Sequence, residues 1–515
     1  MPIAFLAPLI LLAVAAYGAA HPGRRPGALP RIAEAAALAS LVAAAAGLVQ
    51  LFVQGPATFS IGSGPLQMAL RMDALSSTMA LLVGFVGWVV LRYSRTYLDG
   101  DAREGTFAAL MLATLAAVLV LVQAGSLALL VAGFVAVGLG LRSLLLFYPE
   151  RAEARRAAAK FALVWHGGDA LLVVASVLLW QAFGTADLAD MGTLVADGLP
   201  LSAKLAVALL VLVAALKTAA FPLHGWLTEV MEAPTPVSAL LHAGIVNAGG
   251  FLLLRMADLM QSAPGAMAAL VMIGGFTALF GAAVMLTQGA VKTALAWSTV
   301  SQMGFMLLQC GMGLWALALL HIVAHSLYKA HAFLGSGGAV RAVAGIARPG
   351  PVAVPAGAAV LRAFALAFGI YVVVALGFAA LVGPKSPQGL ALGVILIFGV
   401  AYLVAQGLAD AAPRALTIRT AAASLAAAVS YFGFHVLSGK VWGAHLPLPP
   451  TPGALEWALI VLALVSFGLV AVAQALFPLW AHHPAANGLR VHVANGFYLN
   501  ATLDRMIGGF RTSKP

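Results

Sequence analysis

Apolar residues fill long, nearly uninterrupted runs along this chain, and short polar loops separate each run from the next. The runs reach roughly 20 residues, which is enough for an α-helix to cross about 30 Å of hydrocarbon. About fifteen such runs follow one another, so the pattern predicts about fifteen transmembrane helices. The expected fold is an all-α polytopic membrane protein.

Composition supports this prediction and excludes a soluble protein. Hydrophobic residues make up 62% of the chain, charged residues only 9%, and the mean hydropathy is +1.01. Soluble domains carry about 25% charged residues. The net charge of +11 would suggest nucleic-acid binding in a soluble protein. Here the basic residues occupy short loops, so we expect no nucleic-acid partner and a lipid bilayer as the surroundings.

Arginine-rich loops alternate with arginine-poor ones along the chain. "HPGRRPGALPR" and "YPERAEARRAAAK" belong to the first kind, and "GTADLADMGTLVADG" belongs to the second. Cytoplasmic loops of membrane proteins carry the excess of basic residues. The alternation therefore predicts an N-terminus outside and a cytoplasmic tail from residue 479. We expect this tail to lie along the membrane surface or to dock onto a partner.

Ionisable residues inside the apolar runs are the candidate functional residues, because charge at membrane depth is costly. Lys217 precedes a helix-breaking proline, and such breaks are tolerated where they line a cavity. We interpret Lys217 as a proton-binding group; the alternative is a lysine that extends to the interface. Asp169 is the expected counter-charge, as the only central carboxylate in the neighbouring runs. His242 is either a pathway residue or a buried structural histidine. Arg142 is either a partner of Asp169 or an anchor for its own helix, and we favour the anchor.

Three polar residues recur every four positions in "HIVAHSLYKAHAFL", so they share one helix face, while His331 lies on another side. We call this set the central stripe; it consists of His321, His325 and Lys329. Histidine titrates near neutrality, so the stripe predicts a proton relay through bridging water. Structural polar contacts and a zinc site are the alternatives. Zinc is disfavoured because no acidic or thiol ligand accompanies the histidines and a lysine follows them.

A single cysteine, Cys310, excludes a disulfide framework within the chain and a multi-cysteine metal site. The first apolar run lacks a basic leading segment and a convincing cleavage site. We therefore interpret it as the first membrane span and not as a signal peptide.

Three segments resemble the antiporter-like, proton-conducting subunits of respiratory complex I and of Mrp-type cation/proton antiporters. They are "KTAAFPLHGWLTEVMEAPTPVSALLHAG", "VKTALAWSTVSQMGFMLL" and "HIVAHSLYKAHAFLGSG", and the similarity covers roughly residues 60–345. Within this family, "LLHAGIVNAGGFLLLR" and "LRVHVANGFYLNATLDR" resemble the DabB branch, the membrane subunits of inorganic-carbon transporters.

The resemblance implies two inverted five-helix repeats, each with a broken helix that carries a key lysine or glutamate. It divides the chain into N-terminal helices, a first repeat, a diverged second repeat, C-terminal helices and a tail. The corresponding ranges are 1–104, 105–256, 257–410, 411–478 and 479–515.

Motif matching implies roles for individual residues. Lys217 matches the first-repeat lysine, His242 the histidine of the following helix, and Lys292 the lysine before "LAWST"; the central stripe matches the relay that joins the repeats. The sequence departs from the family pattern twice. Val135 stands where the family has a fifth-span glutamate, and the second repeat lacks a central lysine or glutamate, since Lys385 falls in a loop.

The family implies a membrane subunit of a CO2 or bicarbonate uptake complex in the bacterial inner membrane. Protons or another cation would pass through this chain and drive a DabA-like, zinc-containing subunit on the cytoplasmic face, which resembles a β-carbonic anhydrase. Zinc would belong to that partner, so we expect no cofactor and no enzymatic activity in this chain; a higher oligomer is compatible with this arrangement. The alternative is an antiporter subunit of the Mrp, complex I or hydrogenase type. A purely structural scaffold is disfavoured by the intramembrane charges.

Overall fold

The computed structural model describes residues 2–338, 357–407, 414–480 and 483–507, and these residues are mainly helical. The first helices are α1 (Ala7–Ala19), α2 (Leu29–Gln54), α3 (Ala74–Tyr97), α4 (Glu104–Val122), α5 (Leu127–Leu145), α6 (Ala152–Phe183), α7 (Leu188–Thr193), α8 (Leu201–Lys217), α9 (Gly225–Thr228), α10 (Thr235–Ala243) and α11 (Ala248–Arg255). They continue with α12 (Ala257–Gln261), α13 (Pro264–Met285), α14 (Val291–Gly311), α15 (Trp315–Gly335), α16 (Gly357–Val382), α17 (Pro387–Gly407), α18 (Arg414–Trp442), α19 (Ala454–Ala475), α20 (Phe477–Trp480), α21 (Pro484–Ala494) and α22 (Leu499–Met506). Short 3₁₀ turns occur at Ile3–Leu6, Gly64–Leu66, Leu194–Asp197, Val230–Glu232, Ile245–Asn247, Ser336–Gly338 and Gly496–Tyr498.

Eleven helices of the described residues are long and apolar enough, by length and composition, to cross a membrane. Two shorter apolar helices, Ile3–Ala19 and Pro387–Gly399, accompany them. The prediction of a polytopic membrane protein is therefore confirmed, whereas the number of fifteen spans stays a prediction. One reason for the difference is α8, which ends at Lys217 after 17 residues, short of a full span.

Local signals set where several of these helices begin and end. The Asp73 side chain accepts from the Ser76 N–H, and Ser76 in turn bonds back to the Asp73 backbone, so a capping box begins α3. The Ser126 hydroxyl caps α5 by accepting from the Leu129 N–H, without a reciprocal bond. Gly184, with φ 69°, stops α6 because glycine adopts the left-handed conformation at little cost.

A two-stranded antiparallel hairpin interrupts the helices, which the all-α prediction missed. Strands β1 (Ala57–Ile61) and β2 (Met68–Met72) pair in register from Ala57–Met72 to Ile61–Met68. Gly62 and Gly64 both have positive φ and form the turn. Each strand is only five residues long, too short for its alternation to stand out beside long apolar helices.

Glycines let α13 and α14 approach each other closely. A Cβ at Gly274 or at Gly304 would lie 2.4 Å from a backbone nitrogen of the facing helix, and one at Gly281 would lie 2.7 Å from such a nitrogen. Small residues at a helix interface permit this approach in membranes, where packing replaces the hydrophobic effect as the attraction. The two helices therefore form a tightly packed antiparallel pair.

The largest apolar cluster involves mainly α1 to α15, while α16 to α19 pack through smaller clusters, one of which also includes residues of α13 to α15. The two groups meet where α18 packs against α15 and α19 packs against α13. A hydrogen bond of 2.9 Å from Trp442 Nε1 to Thr78 Oγ1 adds a polar tie between α18 and α3. The division into two inverted repeats stays a prediction.

The C-terminal part of the described chain folds back onto the membrane helices. Gln288 Nε2 donates to the Ala494 carbonyl at 3.1 Å, and the Phe497 ring lies 6.3 Å from that of Phe280. The tail was expected on the membrane surface or on a partner. In the structure it packs on its own chain, because ion pairs that the sequence pattern does not reveal hold it there.

Candidate cation pathway

Lys217 ends α8 at a break in the chain. Ala219, two residues later, has φ 52°, and Pro222 follows, so the helix cannot continue. The Lys217 side chain is fully buried, and its Nζ donates to Asp169 Oδ1 at 2.5 Å and to the Trp165 carbonyl at 2.7 Å. The expected contact between Lys217 and Asp169 is therefore present in the structure.

Aromatic rings complete the surroundings of this ammonium group. Lys217 Nζ lies 4.0 Å from the centroid of the Trp165 ring and 5.1 Å from that of Phe134. Such ring faces attract a cation. Since α6 supplies the carboxylate, the lysine is paired without any contribution from Val135, the position at which the family resemblance implies a glutamate.

His166 is a third member of this site that the sequence reasoning missed. Its Nδ1 lies 2.8 Å from Asp169 Oδ2, and its side chain is 32% exposed. Asp169 thus bridges a buried lysine and a partly exposed histidine. The i,i+3 spacing in "WHGGD" places both on one helix face, which is the signal that could have identified His166. Arg142 lies exposed near the end of α5, and its anchoring role stays a prediction.

A second break separates α10 from α11 at Gly244–Asn247. The interruption leaves two carbonyls without their helical partners, and side chains replace those partners. His325 Nε2 donates to the His242 carbonyl at 3.2 Å, and Asn247 Nδ2 donates to the Ala243 carbonyl at 2.9 Å. Asn247 Nδ2 also contacts Ser326 Oγ at 3.0 Å, so the break is joined to α15 twice.

His242 is completely buried between α14 and α15. Its Nδ1 lies 3.2 Å from Thr299 Oγ1, and its ring stacks on Phe333 with centroids 4.3 Å apart. In the described part of the chain, its Nε2 has no hydrogen-bond partner. The residue therefore has one ring nitrogen free for a water molecule.

The central stripe lies on one face of α15, as predicted. His321 is half-buried, with Nδ1 2.8 Å from Gln309 Oε1, and the rings of His321 and His325 are 6.0 Å apart. Lys329 is fully buried, and its Nζ donates to the Leu295 carbonyl at 3.0 Å. His331 is exposed on another side.

Lys292 lies at the end of the bundle, near the start of α14. Its Nζ donates to Thr235 Oγ1, on the first residue of α10, at 3.1 Å. The structure thus brings His242 and His325 into contact and joins Lys217 to Asp169. Over the described ranges, no direct contact links these two groups, and no set of three or more His, Cys, Asp or Glu side chains is placed to hold a metal. The roles of all these residues in cation transfer stay predictions.

Comparison with known proteins identifies the family. Residues 124–347 match the family described as NADH:quinone oxidoreductase/Mrp antiporter, TM, and residues 59–108 match the N-terminus of complex I chain 5. The fold resembles a chain of the Mrp complex from Dietzia sp. DQ12-45-1b, with a TM-score of 0.63 and 21% identity, over 99% of this chain and 61% of that one. This likeness supports an Mrp-type fold.

Two curated relatives are more similar in sequence. The probable inorganic carbon transporter subunit DabB2 of Halothiobacillus neapolitanus is 35% identical over 90% of this chain and 84% of that protein. The probable subunit DabB of Hydrogenovibrio crunogenus is 42% identical over 52% of each protein, so this alignment spans about half the length of that relative. The chain therefore belongs to the DabB family of inorganic carbon transporter subunits, within the antiporter-like proteins that include complex I and Mrp subunits.

Proposed function

We propose that this chain conducts protons or another cation across a bacterial inner membrane and that this flow drives inorganic-carbon uptake by a partner subunit. The observation that carries the proposal is the buried Lys217–Asp169 pair beside a helix break. An intramembrane ion pair next to broken helices is characteristic of transport pathways. The names of the two DabB relatives support the carbon-uptake part.

The first station of the pathway is the group of His166, Asp169 and Lys217. Asp169 holds Lys217 with one oxygen and faces His166 with the other, at 2.5 Å and 2.8 Å. A proton that arrives at the partly exposed histidine passes to the carboxylate, which weakens its attraction for the lysine. Lys217 then releases its own proton to a water molecule.

The second station is the contact between His242 and the central stripe. His242 accepts a proton from water at its free Nε2, and His325 lies against its carbonyl. The rings of His321 and His325 are 6.0 Å apart, too far for a direct hydrogen bond and close enough for one bridging water. Lys329 extends this row of proton-transfer groups toward the C-terminal end of α15. Lys292 lies at the end of the bundle, where protons are exchanged with water.

The remaining parts of the proposal, on topology, partner and helix number, rest on the sequence pattern and the family resemblance. The N-terminus lies outside and the tail lies in the cytoplasm, where a DabA-like subunit binds and supplies zinc for the hydration of CO2. This chain acts as a transporter subunit and not as an enzyme. About fifteen helices and two inverted repeats form the membrane part.

Substitutions in the central stripe test the proposal. His325→Ala should lower cation-coupled carbon uptake by at least about tenfold, because a positioned proton-transfer group contributes this much or more. Uptake would be measured in cells that depend on the complex, with membrane levels checked by immunoblot. His331→Ala is the matched control on the same helix, since this side chain is exposed. Uptake at the normal rate in both His321→Ala and His325→Ala would reject the relay.

An Mrp-like antiporter subunit is the second candidate, favoured by the Mrp-type fold. Affinity purification from native membranes separates the two possibilities. A large zinc-containing partner supports carbon uptake, while a set of small membrane subunits supports the antiporter.

A further inference from the structure

The tail segment, which we define as Pro484–Ile507, is held by an ion network whose centre is buried and whose Arg156 is half exposed. Asp504 Oδ1 lies 2.7 Å from Lys160 Nζ, and Asp504 Oδ2 lies 2.6 Å from Arg156 Nη2. The Asp504 side chain is only 9% exposed and that of Lys160 only 7%. Residues that are far apart in the sequence therefore meet at one site, where Lys160 and Asp504 are shielded from water.

Two further groups complete the network. Lys160 Nζ lies 3.1 Å from Glu229 Oε1, and Asn500 on α22 contacts both Lys160 and Glu229. Two cations, Arg156 and Lys160, thus face two carboxylates, so that the charges balance. A balanced and hydrogen-bonded set is the form in which buried charges are tolerated.

The membrane helices also provide a fitted surface for the segment. A Cβ at Gly225 would overlap Asn500 Oδ1, so only glycine leaves room for this amide. At Gly496 the tail backbone passes over the Trp297 ring, with 3.3 Å between a Cβ built there and the ring edge. The contact therefore depends on close packing of the two surfaces as well as on charge.

This surface adjoins the Lys217 site. Gly225 and Glu229 belong to the turns that follow the break after Lys217, and Lys160 lies on α6, five residues before the Trp165 carbonyl that holds Lys217 Nζ. Helix α6 therefore carries residues of both the ion network and the first station, and the turns with Gly225 and Glu229 follow the helix that ends at Lys217. When the tail segment is in place, Lys160 and Glu229 are covered by Asp504 and Asn500.

We propose that the tail segment is a releasable seal over the mouth of the Lys217 site. In place, it keeps Lys160 out of water and covers most of Glu229; detached, it opens a second hydrated route to the first station, from the side of the ion network, in addition to the exposed edge of His166. Ion pairs suit a releasable contact, because hydration of the freed charges offsets much of the lost attraction. The transport consequence rests on the proposed function, whereas the seal itself does not.

The accessibility of a single thiol tests the seal directly. Cys310 is fully buried. Leu499→Cys would place a thiol at a half-buried position under α22, and Thr502→Cys would place one on its exposed side. In the purified complex, Asp504→Asn or Asn500→Ala should speed maleimide labelling of Leu499→Cys about tenfold, since local opening follows the loss of a charged hydrogen bond. Thr502→Cys should be labelled at the same rate in every background, and Arg505→Gln, an exposed change on α22, should have no effect.

Passive proton leak into proteoliposomes is the second readout. Asp504→Asn should raise the leak severalfold, and Arg505→Gln should leave it unchanged. Unaltered labelling of Leu499→Cys overturns the proposal, and faster labelling without additional leak overturns the sealing role. Combination with His325→Ala separates the two proposals. A leak that survives this second change supports the seal and counts against the relay.

Discussion

Lys217 and Asp169 occupy a depth at which neither charge is tolerated alone. The lysine is fully buried and the aspartate side chain is 6% exposed. Removing one partner of a buried pair leaves an uncompensated charge, which costs more than removing both partners. The pair therefore combines a structural requirement with its proposed role in transport, and substitutions can separate the two.

We predict that Asp169→Asn lowers the free energy of unfolding by about 3 kcal/mol, and that the double variant Asp169→Asn, Lys217→Met recovers most of this loss. Thermal unfolding in detergent would measure both effects. Carbon uptake should be lost in the single and the double variant alike. Recovery of uptake in the double variant would show that the pair serves stability only.

Individual site residues could be predicted from the sequence where their chemical type or their spacing was distinctive. Asp169 was identifiable because it is the only central carboxylate near Lys217, and the four-residue spacing placed the central stripe on one face. His166, Asn247 and Thr299 were not identified as site residues. For His166 the i,i+3 spacing to Asp169 was the available signal. The partners of Asn247 and Thr299 come from an irregular turn and from side-chain packing, about which periodicity carries no information.

At the scale of elements, α13 and α14 are fixed against each other by backbone contact. A methyl group at Gly304 would meet the backbone of α13 and could not be relieved by a side-chain rotation. Overpacking of this kind typically costs about 1–3 kcal/mol. The pair should therefore act as a rigid support beside the broken helices.

Gly304→Ala should accordingly destabilise the protein by about 2 kcal/mol. Gly265→Ala is the control on α13 itself, because nothing lies within 4 Å of a Cβ there. This control should be neutral or slightly stabilising, since alanine favours a helix over glycine. Denaturation in detergent, followed by tryptophan fluorescence, would compare them. Equal stability of the two variants would contradict a rigid pair.

The sequence indicated the first helix break more clearly than the second. Pro222 marked the first, because proline removes a backbone donor and clashes with the preceding turn. The second, at Gly244–Asn247, contains no proline. It depends on His325 and Asn247, which satisfy the freed carbonyls from side chains, and this compensation is visible only after folding.

On the scale of the whole molecule, Asp73 ties together distant parts of the chain on the side remote from the tail segment. Arg255 Nη1 lies 2.6 Å and Arg71 Nε 2.9 Å from Asp73 Oδ2, beside a cavity of about 300 Å³. Burial alone would raise the pKa of Asp73, but Arg255 and Arg71 outweigh it and hold the pKa well below its usual range. The ionised form is therefore favoured by folding.

A depressed pKa gives a pH dependence of definite sign. The stabilisation is fully present above the unfolded pKa of about 4 and is lost as the pH falls below it. Asp73→Asn retains the helix cap but loses the charge, so it should cost about 2 kcal/mol at pH 7 and clearly less near pH 2, since the contribution shrinks as the pH falls toward the depressed pKa. Asp258→Asn, in the same cavity, is the control. Unfolding curves at several pH values would test this, and a cost that does not change with pH would refute it.

Hydropathy was sufficient for the membrane class and the overall helical architecture, because each span must satisfy its backbone internally. It could not predict how the tail segment packs. That contact depends on Lys160, Glu229 and Asp504. The hydropathy pattern marks these residues as polar but does not predict that they pair with one another. The tail packs on its own helices because its charges pair with charges that become neighbours only in the folded chain.

The ion network of the tail segment also has a consequence during biosynthesis. Arg156 and Asp504 are 348 residues apart, so the ribosome must add all of the intervening chain before they can meet. At about 5–20 residues per second this takes roughly 20–70 s. During that interval Lys160 and Glu229 are uncovered at the membrane surface, and a nascent chain is open where the finished protein is closed. The ion network is therefore among the last contacts of the described residues to form during synthesis.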